Sequence, residues 1–140
     1  MAYKKLTDDL SVSAQQLQPE EIAQVAALGF KSIIANRPDG EAAGQPSFSE
    51  IEREAKAHGL SARYVPIAGG ATDADAAAFG AALAELPKPV LAYCRSGTRS
   101  TMLWALSEAG RLPVEDILSK AADAGYDMSG LANRIARARG

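Results

Sequence analysis

The 140-residue sequence has one cysteine, one histidine and one tryptophan, and aromatic residues make up only 6% of it. Each scarcity excludes something. A single Cys forms no internal disulfide, which fits a reducing, cytoplasmic setting. One Cys and one His do not suffice for a structural zinc site, so no metal is expected. No organic cofactor is implied either. No apolar run approaches the roughly 18 residues that span a bilayer. The opening "MAYKKLTDDL" has lysines but no apolar stretch behind them, so it does not read as a secretory signal. A basic excess is also missing. The formal net charge of −2 speaks against a general nucleic-acid or membrane-surface role.

What is present is ordinary for a globular chain: 47% hydrophobic and 23% charged residues. This length is enough for one domain over residues 1–140 with a real core. Leu10–Ser13 alternates as a short strand. Pro19, Glu20 and Glu21 open a helix that Gly29 ends. Lys31–Ala35 reads as a strand breaking at Asn36–Gly40, and Phe48–Ala57 as a helix stopping at Gly59. "SARYVPIAGG" is a third strand with a Gly-rich turn, followed by an Ala-rich helix from Thr72 or Asp73. "PVLAYC" is a near-continuous apolar strand, and helical pattern follows from Arg99 to the end. Arg134, Arg137 and Arg139 make a solvated face on the last helix.

Strands alternating with helices, the last strand apolar on both faces, predict an α/β three-layer fold with a mostly parallel sheet flanked by helices. Ligands in such folds sit at the carboxyl ends of the strands. Three loops are expected there: Asn36–Gly40, Ala68–Asp75 and Cys94–Arg99.

The third loop carries the chemistry. Cys94 ends a buried strand and a helix begins near Arg99 or Ser100. The backbone N–H groups between them form an anion nest at the positive end of the helix dipole. Gly97 permits the sharp turn, Arg99 offers a bidentate guanidinium fork, and Ser96, Thr98 and Ser100 add hydroxyl donors. These groups favour a thiolate at Cys94, with a pKa below the free value of about 8.5. Arg95 points outward, toward an acidic thiol or toward solvent. A thiolate so placed is both nucleophile and sulfur acceptor. The spacing is Cys-x4-Arg, one residue shorter than the Cys-x5-Arg of cysteine phosphatases. "CRSGTRS" resembles the active loop of single-domain rhodaneses, which implies sulfur transfer.

"FKSIIANRPDGE", "YVPIAGG", "PVLAYCRSGTRS" and "AGYDMSGL" together resemble the beta-lactamase-hydrolase-like family in its phosphatase-like domain. That resemblance implies a fold like that of the dual-specificity phosphatases. It also implies sulfur-transferase activity in some members and fusion to, or partnership with, a persulfide-handling enzyme. The sequence departs from dual-specificity phosphatases in its shorter loop and in Tyr93, where they usually carry His. Asp73 and Asp75 lie where such phosphatases place a general acid; both also suit a helix start, Asp73 as an N-cap. Asn36, Arg37 and Asp39 sit on the neighbouring loop. There Arg37 is placed for an anionic substrate and Asp39 for holding Arg37 or Arg99, while the same residues spell a turn. Tyr64 and Tyr126 carry no assignment.

The leading expectation is a sulfurtransferase moving a sulfane sulfur through a Cys94 persulfide, from a donor such as thiosulfate or glutathione persulfide. The alternative is a phosphatase of atypical loop length, using Cys94 as nucleophile on a phosphate ester. A third possibility is a non-catalytic module that senses an anion or a persulfide.

Overall fold

The computed structural model describes residues 1–139. The side chains of Ala138 and Arg139 lie outside what is described. Five strands form one sheet in the order β1-β2-β5-β3-β4. They are β1 (Tyr3–Lys5), β2 (Leu10–Ser13), β3 (Ser32–Ala35), β4 (Ser61–Tyr64) and β5 (Val90–Tyr93). β2, β5, β3 and β4 run parallel, and β1 is antiparallel to β2. The helices are α1 (Ile22–Ala27), α2 (Phe48–Ala57), α3 (Asp73–Glu85), α4 (Thr98–Ser107), α5 (Val114–Asp123) and α6 (Ala132–Arg139).

The apolar continuity of "PVLAYC" is explained by its place. β5 is the middle strand, and its residues serve two cores in alternation. Val90 and Ala92 join Phe79, Leu103, Trp104, Ile117 and Ile135 on the α3–α6 face. Leu91 and Tyr93 join Ile22, Val25, Ile51 and Ala55 on the α1–α2 face. β3 divides the same way, Ile34 to the first core and Ile33 and Ala35 to the second. The expected three layers are thus the α1–α2 layer, the sheet and the α3–α6 layer.

Local signals set the helix ends. The Ser47 hydroxyl accepts from the Glu50 N–H and opens α2. At α3 the cap is Thr72, not Asp73. Thr72 Oγ1 accepts from the Asp75 N–H at 3.0 Å, and Asp75 Oδ2 accepts from the Thr72 N–H at 2.9 Å. This reciprocal exchange is a capping box, which satisfies two otherwise orphan donors. α4 begins at Thr98, a turn-fraction earlier than the sequence pattern suggests, because Gly97 takes the left-handed conformation (φ 94°) and serves as its N-cap. β1 escapes the sequence reading because its three residues are polar and exposed. Its lysines suit a sheet edge, where charge discourages pairing with another chain.

Replacing Thr72 by Ala is expected to cost about 1 kcal/mol of stability. Replacing the exposed Asp73 by Ala is expected to cost less than about half that. Urea titration of both variants checks the assignment of the cap; equal losses would return it to Asp73.

Candidate active site

Cys94 follows β5 directly and is 1% exposed. The chain then turns through Arg95, Ser96 and Gly97 into α4, so that the first turn of the helix and the loop face the thiol. The Gly97 N–H donates to Cys94 Sγ at 3.1 Å. Burial alone would push the thiol up. Backbone N–H groups of Ser100, Ser96, Gly97 and Arg99 outweigh it and hold Cys94 below its ordinary value. The groups facing the thiol are thus backbone N–H donors at the amino end of a ten-residue helix.

Gly97 is required twice over. Its φ is positive, and a Cβ there would overlap the Tyr126 hydroxyl and stand 2.9 Å from the Ser13 carbonyl oxygen. The Thr101 hydroxyl, one turn into α4, donates to the Gly97 carbonyl at 2.8 Å. Arg95, Ser96 and Thr98 lie on the exposed rim, with the Ser96 and Thr98 hydroxyls 3.3 Å apart.

A single fully buried amide, Asn36, ties together the segments that lead into and out of the site. Asn36 Nδ2 donates to the Val65 carbonyl at 2.8 Å, and Asn36 Oδ1 accepts from the Ser100 hydroxyl at 2.8 Å. The Asn36 N–H donates to the Tyr93 carbonyl, and its carbonyl accepts from the Ile67 N–H. Asn36 thus connects the end of β5, the segment after β4 and the first turn of α4. It serves as a brace within the wall beside the cysteine loop.

The arginines are organised by a residue the sequence reading did not single out. Glu41 takes Arg99 in bidentate fashion, Oε2 accepting from Nη1 at 2.6 Å and Oε1 from Nη2 at 2.9 Å. Arg99 Nη1 also donates to the Ile67 carbonyl at 2.9 Å. The same Glu41 Oε1 accepts from Arg37 Nε at 2.9 Å, and Arg37 Nη1 donates to Gln16 Oε1 at 3.1 Å. Hydrogen bonds from Arg99, and secondarily from Arg37, lower the Glu41 carboxyl to about 2 despite its partial burial. Arg99 is raised in turn, by Glu41 first and also by the Cys94 thiolate. Asp39 holds neither arginine. Its Oδ1 accepts from the Phe48 N–H at 2.8 Å and its N–H donates to the Tyr64 hydroxyl at 3.0 Å, so it shapes the turn into α2. Glu41 lies within "FKSIIANRPDGE", and its acidic charge two residues after Asp39 was the available signal.

Asp73 and Asp75 face other work. Asp75 is engaged with Thr72, as above. The Asp73 side chain is 98% exposed and pairs with Arg134 Nη2 at 3.1 Å. Neither bonds to the cysteine loop. Tyr126, at the turn between α5 and α6, does: its hydroxyl donates to the Ser96 carbonyl at 2.8 Å. Arg37, Glu41, Ala42, Ala68, Arg95 and Arg99 line an open depression of about 490 Å³ beside the loop. Among the described residues no group of three His, Cys, Asp or Glu side chains is placed to hold a metal ion, and no helix is long and apolar enough to cross a membrane.

Chemically the arrangement offers a buried thiol with a lowered pKa, a ring of N–H donors and a guanidinium held in one orientation. Residues 2–111 match the family described as beta-lactamase hydrolase-like protein, phosphatase-like domain. The beta-lactamase hydrolase-like protein of Agrobacterium fabrum is 36% identical over 131 residues, covering 91% of this chain and 30% of that protein. The chain therefore spans about 30% of the length of the curated relatives it matches. The crystal structure of a provisionally assigned phosphatase from Neisseria meningitidis superposes with a TM-score of 0.86 at 35% identity, over 99% of both chains. Kinase-associated phosphatase, solved with its catalytic-site cysteine replaced by serine, shares the fold alone. Its TM-score is 0.71 at 15% identity, over 98% of this chain and 92% of that one. The resemblance drawn from four short sequence stretches is thereby confirmed, and the chain belongs to the beta-lactamase hydrolase-like family as its phosphatase-like domain.

Proposed function

We propose that this domain is a cysteine-dependent phosphatase acting on phosphate esters. The observation that carries the reading is the convergence of loop N–H groups on the buried Cys94, with Arg99 held beside it by Glu41. The phosphatase scaffold of its structural relatives supports it, and favours it over the sulfur transfer that the loop spacing alone suggests. Cys94 Sγ attacks phosphorus, forming a sulfur–phosphorus bond as the ester oxygen departs with its electron pair. The loop N–H groups stabilise the charge that develops on the equatorial oxygens, and Arg99, whose bidentate fork is taken by Glu41 rather than left for the anion, adds its positive charge and the N–H groups it has left. Water then attacks phosphorus, releasing phosphate and restoring the thiolate.

Asp73 and Asp75 are engaged away from the loop, so solvent protonates the leaving oxygen. The preferred substrates are then esters whose leaving group is already a good one, such as aryl phosphates.

Sulfur transfer is the second reading, and one observation favours it: the Cys-x4-Arg spacing makes a ring of donors one residue smaller than that of cysteine phosphatases. In that reaction the thiolate attacks the outer sulfur of thiosulfate, a sulfur–sulfur bond forms, and sulfite leaves.

Aryl phosphate turnover and intact mass after thiosulfate treatment separate the two. Turnover abolished by Cys94→Ser, with no gain of one sulfur in the wild type, is the expected result. A cyanide-reversible gain of one sulfur without turnover would replace phosphate transfer by sulfur transfer. Neither activity, with a reactive thiol, would leave an anion-sensing module.

Glu41→Gln is expected to lower kcat/KM roughly 10- to 100-fold, the scale of a charged clamp displaced by about an ångström. It has a second signature. Because the Glu41 carboxyl drops from 4.5 to about 2 on folding, its contribution to stability is complete above pH 4.5 and fades as pH falls toward 2. Acid titration of unfolding should show that limb in the wild type and not in Glu41→Gln.

Asp73→Asn is expected to leave turnover of an aryl phosphate within about twofold. A selective loss on alkyl phosphates, with aryl phosphates spared, would make Asp73 the acid after all.

A further inference from the structure

The peptide unit joining Ser96 to Gly97 is gripped at both ends. Its N–H donates to Cys94 Sγ at 3.1 Å, and its carbonyl accepts from the Tyr126 hydroxyl at 2.8 Å. In a trans peptide these two groups point to opposite sides of one plane, so both bonds fix the same rotation. That rotation needs fixing. A flip of the plane changes ψ of Ser96 and φ of Gly97 together, and glycine is at ease with either sign of φ. Once flipped, the plane would turn the Ser96 carbonyl oxygen toward the thiol. A donor would be lost and a repulsive dipole gained in a single motion.

Tyr126 is well suited to prevent this. Gly125 with φ 97° and the Tyr126 N–H bond to the Ala121 carbonyl at 2.9 Å fold the turn after α5 back toward the loop. The ring is half-buried, and its oxygen occupies the space a Gly97 side chain would take. Burial and the nearby Cys94 thiolate both push the Tyr126 phenol up, which keeps it protonated and donating. Tyr126 lies past residue 111, where the match to the family ends.

We infer that Tyr126 is a positioning residue for the nucleophile: by holding the Ser96–Gly97 peptide in its donor orientation, its hydroxyl sustains the thiolate of Cys94. The inference rests on Cys94 acting as a thiolate, whether toward phosphorus or sulfur. It makes the α5–α6 turn a working part of the site.

The test is Tyr126→Phe, which removes one oxygen and keeps the ring. The rate of Cys94 alkylation by iodoacetamide is followed from pH 5 to pH 10, with a thermal melt as the check on folding. In the wild type the profile should rise well below the free-thiol value of about 8.5. In Tyr126→Phe it should shift to higher pH, with alkylation at pH 6 slowed about three- to tenfold, the scale of one hydrogen bond to a charged group. The rate above pH 9.5 should stay near that of the wild type. Superposable profiles for a folded Tyr126→Phe would overturn the role of Tyr126. A wild-type profile that itself rises near 8.5 would instead overturn the thiolate on which the inference rests, and the two failures are told apart by the wild-type curve alone.

Discussion

The lowered pKa of a thiol buried at the end of the central strand is the constraint to which the rest of the molecule answers. The charged form of a thiol that is 1% exposed cannot be stabilised by bulk water. Its compensation must come from the protein, and it comes chiefly from backbone N–H groups that no strand or helix claims. Those groups exist because β5 ends and α4 begins within a few residues, with Gly97 making the turn. The site is thus a property of how one strand hands over to one helix. Side chains enter as braces: Asn36 for the walls, Glu41 for the arginines, Tyr126 for the loop itself.

Glu41 shows how the charges are balanced. Two guanidiniums, Arg37 and Arg99, share one carboxylate, and Cys94, when ionised, adds a second negative charge nearby. Without Glu41 the arginines would repel one another across a partly buried cleft. With it they hold one geometry before any substrate arrives, so little reorganisation remains for the reaction. Such a carboxylate comes within reach of both arginines because β3 and β5 run parallel, so the 36–41 loop and the cysteine loop leave the same edge of the sheet.

Much of this was legible in the sequence. The bounds of α2 were readable because Ser47, the spacing of Ile51 and Ala55, and Gly59 all speak for the same helix. The nucleophile loop was readable because an apolar strand, a Gly turn and an arginine lie contiguous in the chain. The errors arise where the deciding contact is distant in sequence or carried by backbone. Asp39 and Glu41 are both acidic and two residues apart, and only the path of the loop decides which of them meets Arg99. Thr72 and Asp73 are both good caps, and only the backbone torsions choose. Tyr126 had no local signal, since its partner lies thirty residues away. Among reaction types, loop length favours sulfur transfer, while similarity along the whole chain is to a phosphatase-like domain.

The burial of Cys94 also bears on the durability of the site. A stabilised thiolate is the form that peroxides attack, and susceptibility grows with both ionisation and access. Here ionisation is favoured while burial limits access to the sulfur. These 140 residues contain no second cysteine to resolve a sulfenic acid as an internal disulfide. A sulfenic acid formed at Cys94 would therefore find no resolving thiol within this domain, and Arg95 at the exposed rim would favour an incoming thiol that carries a negative charge.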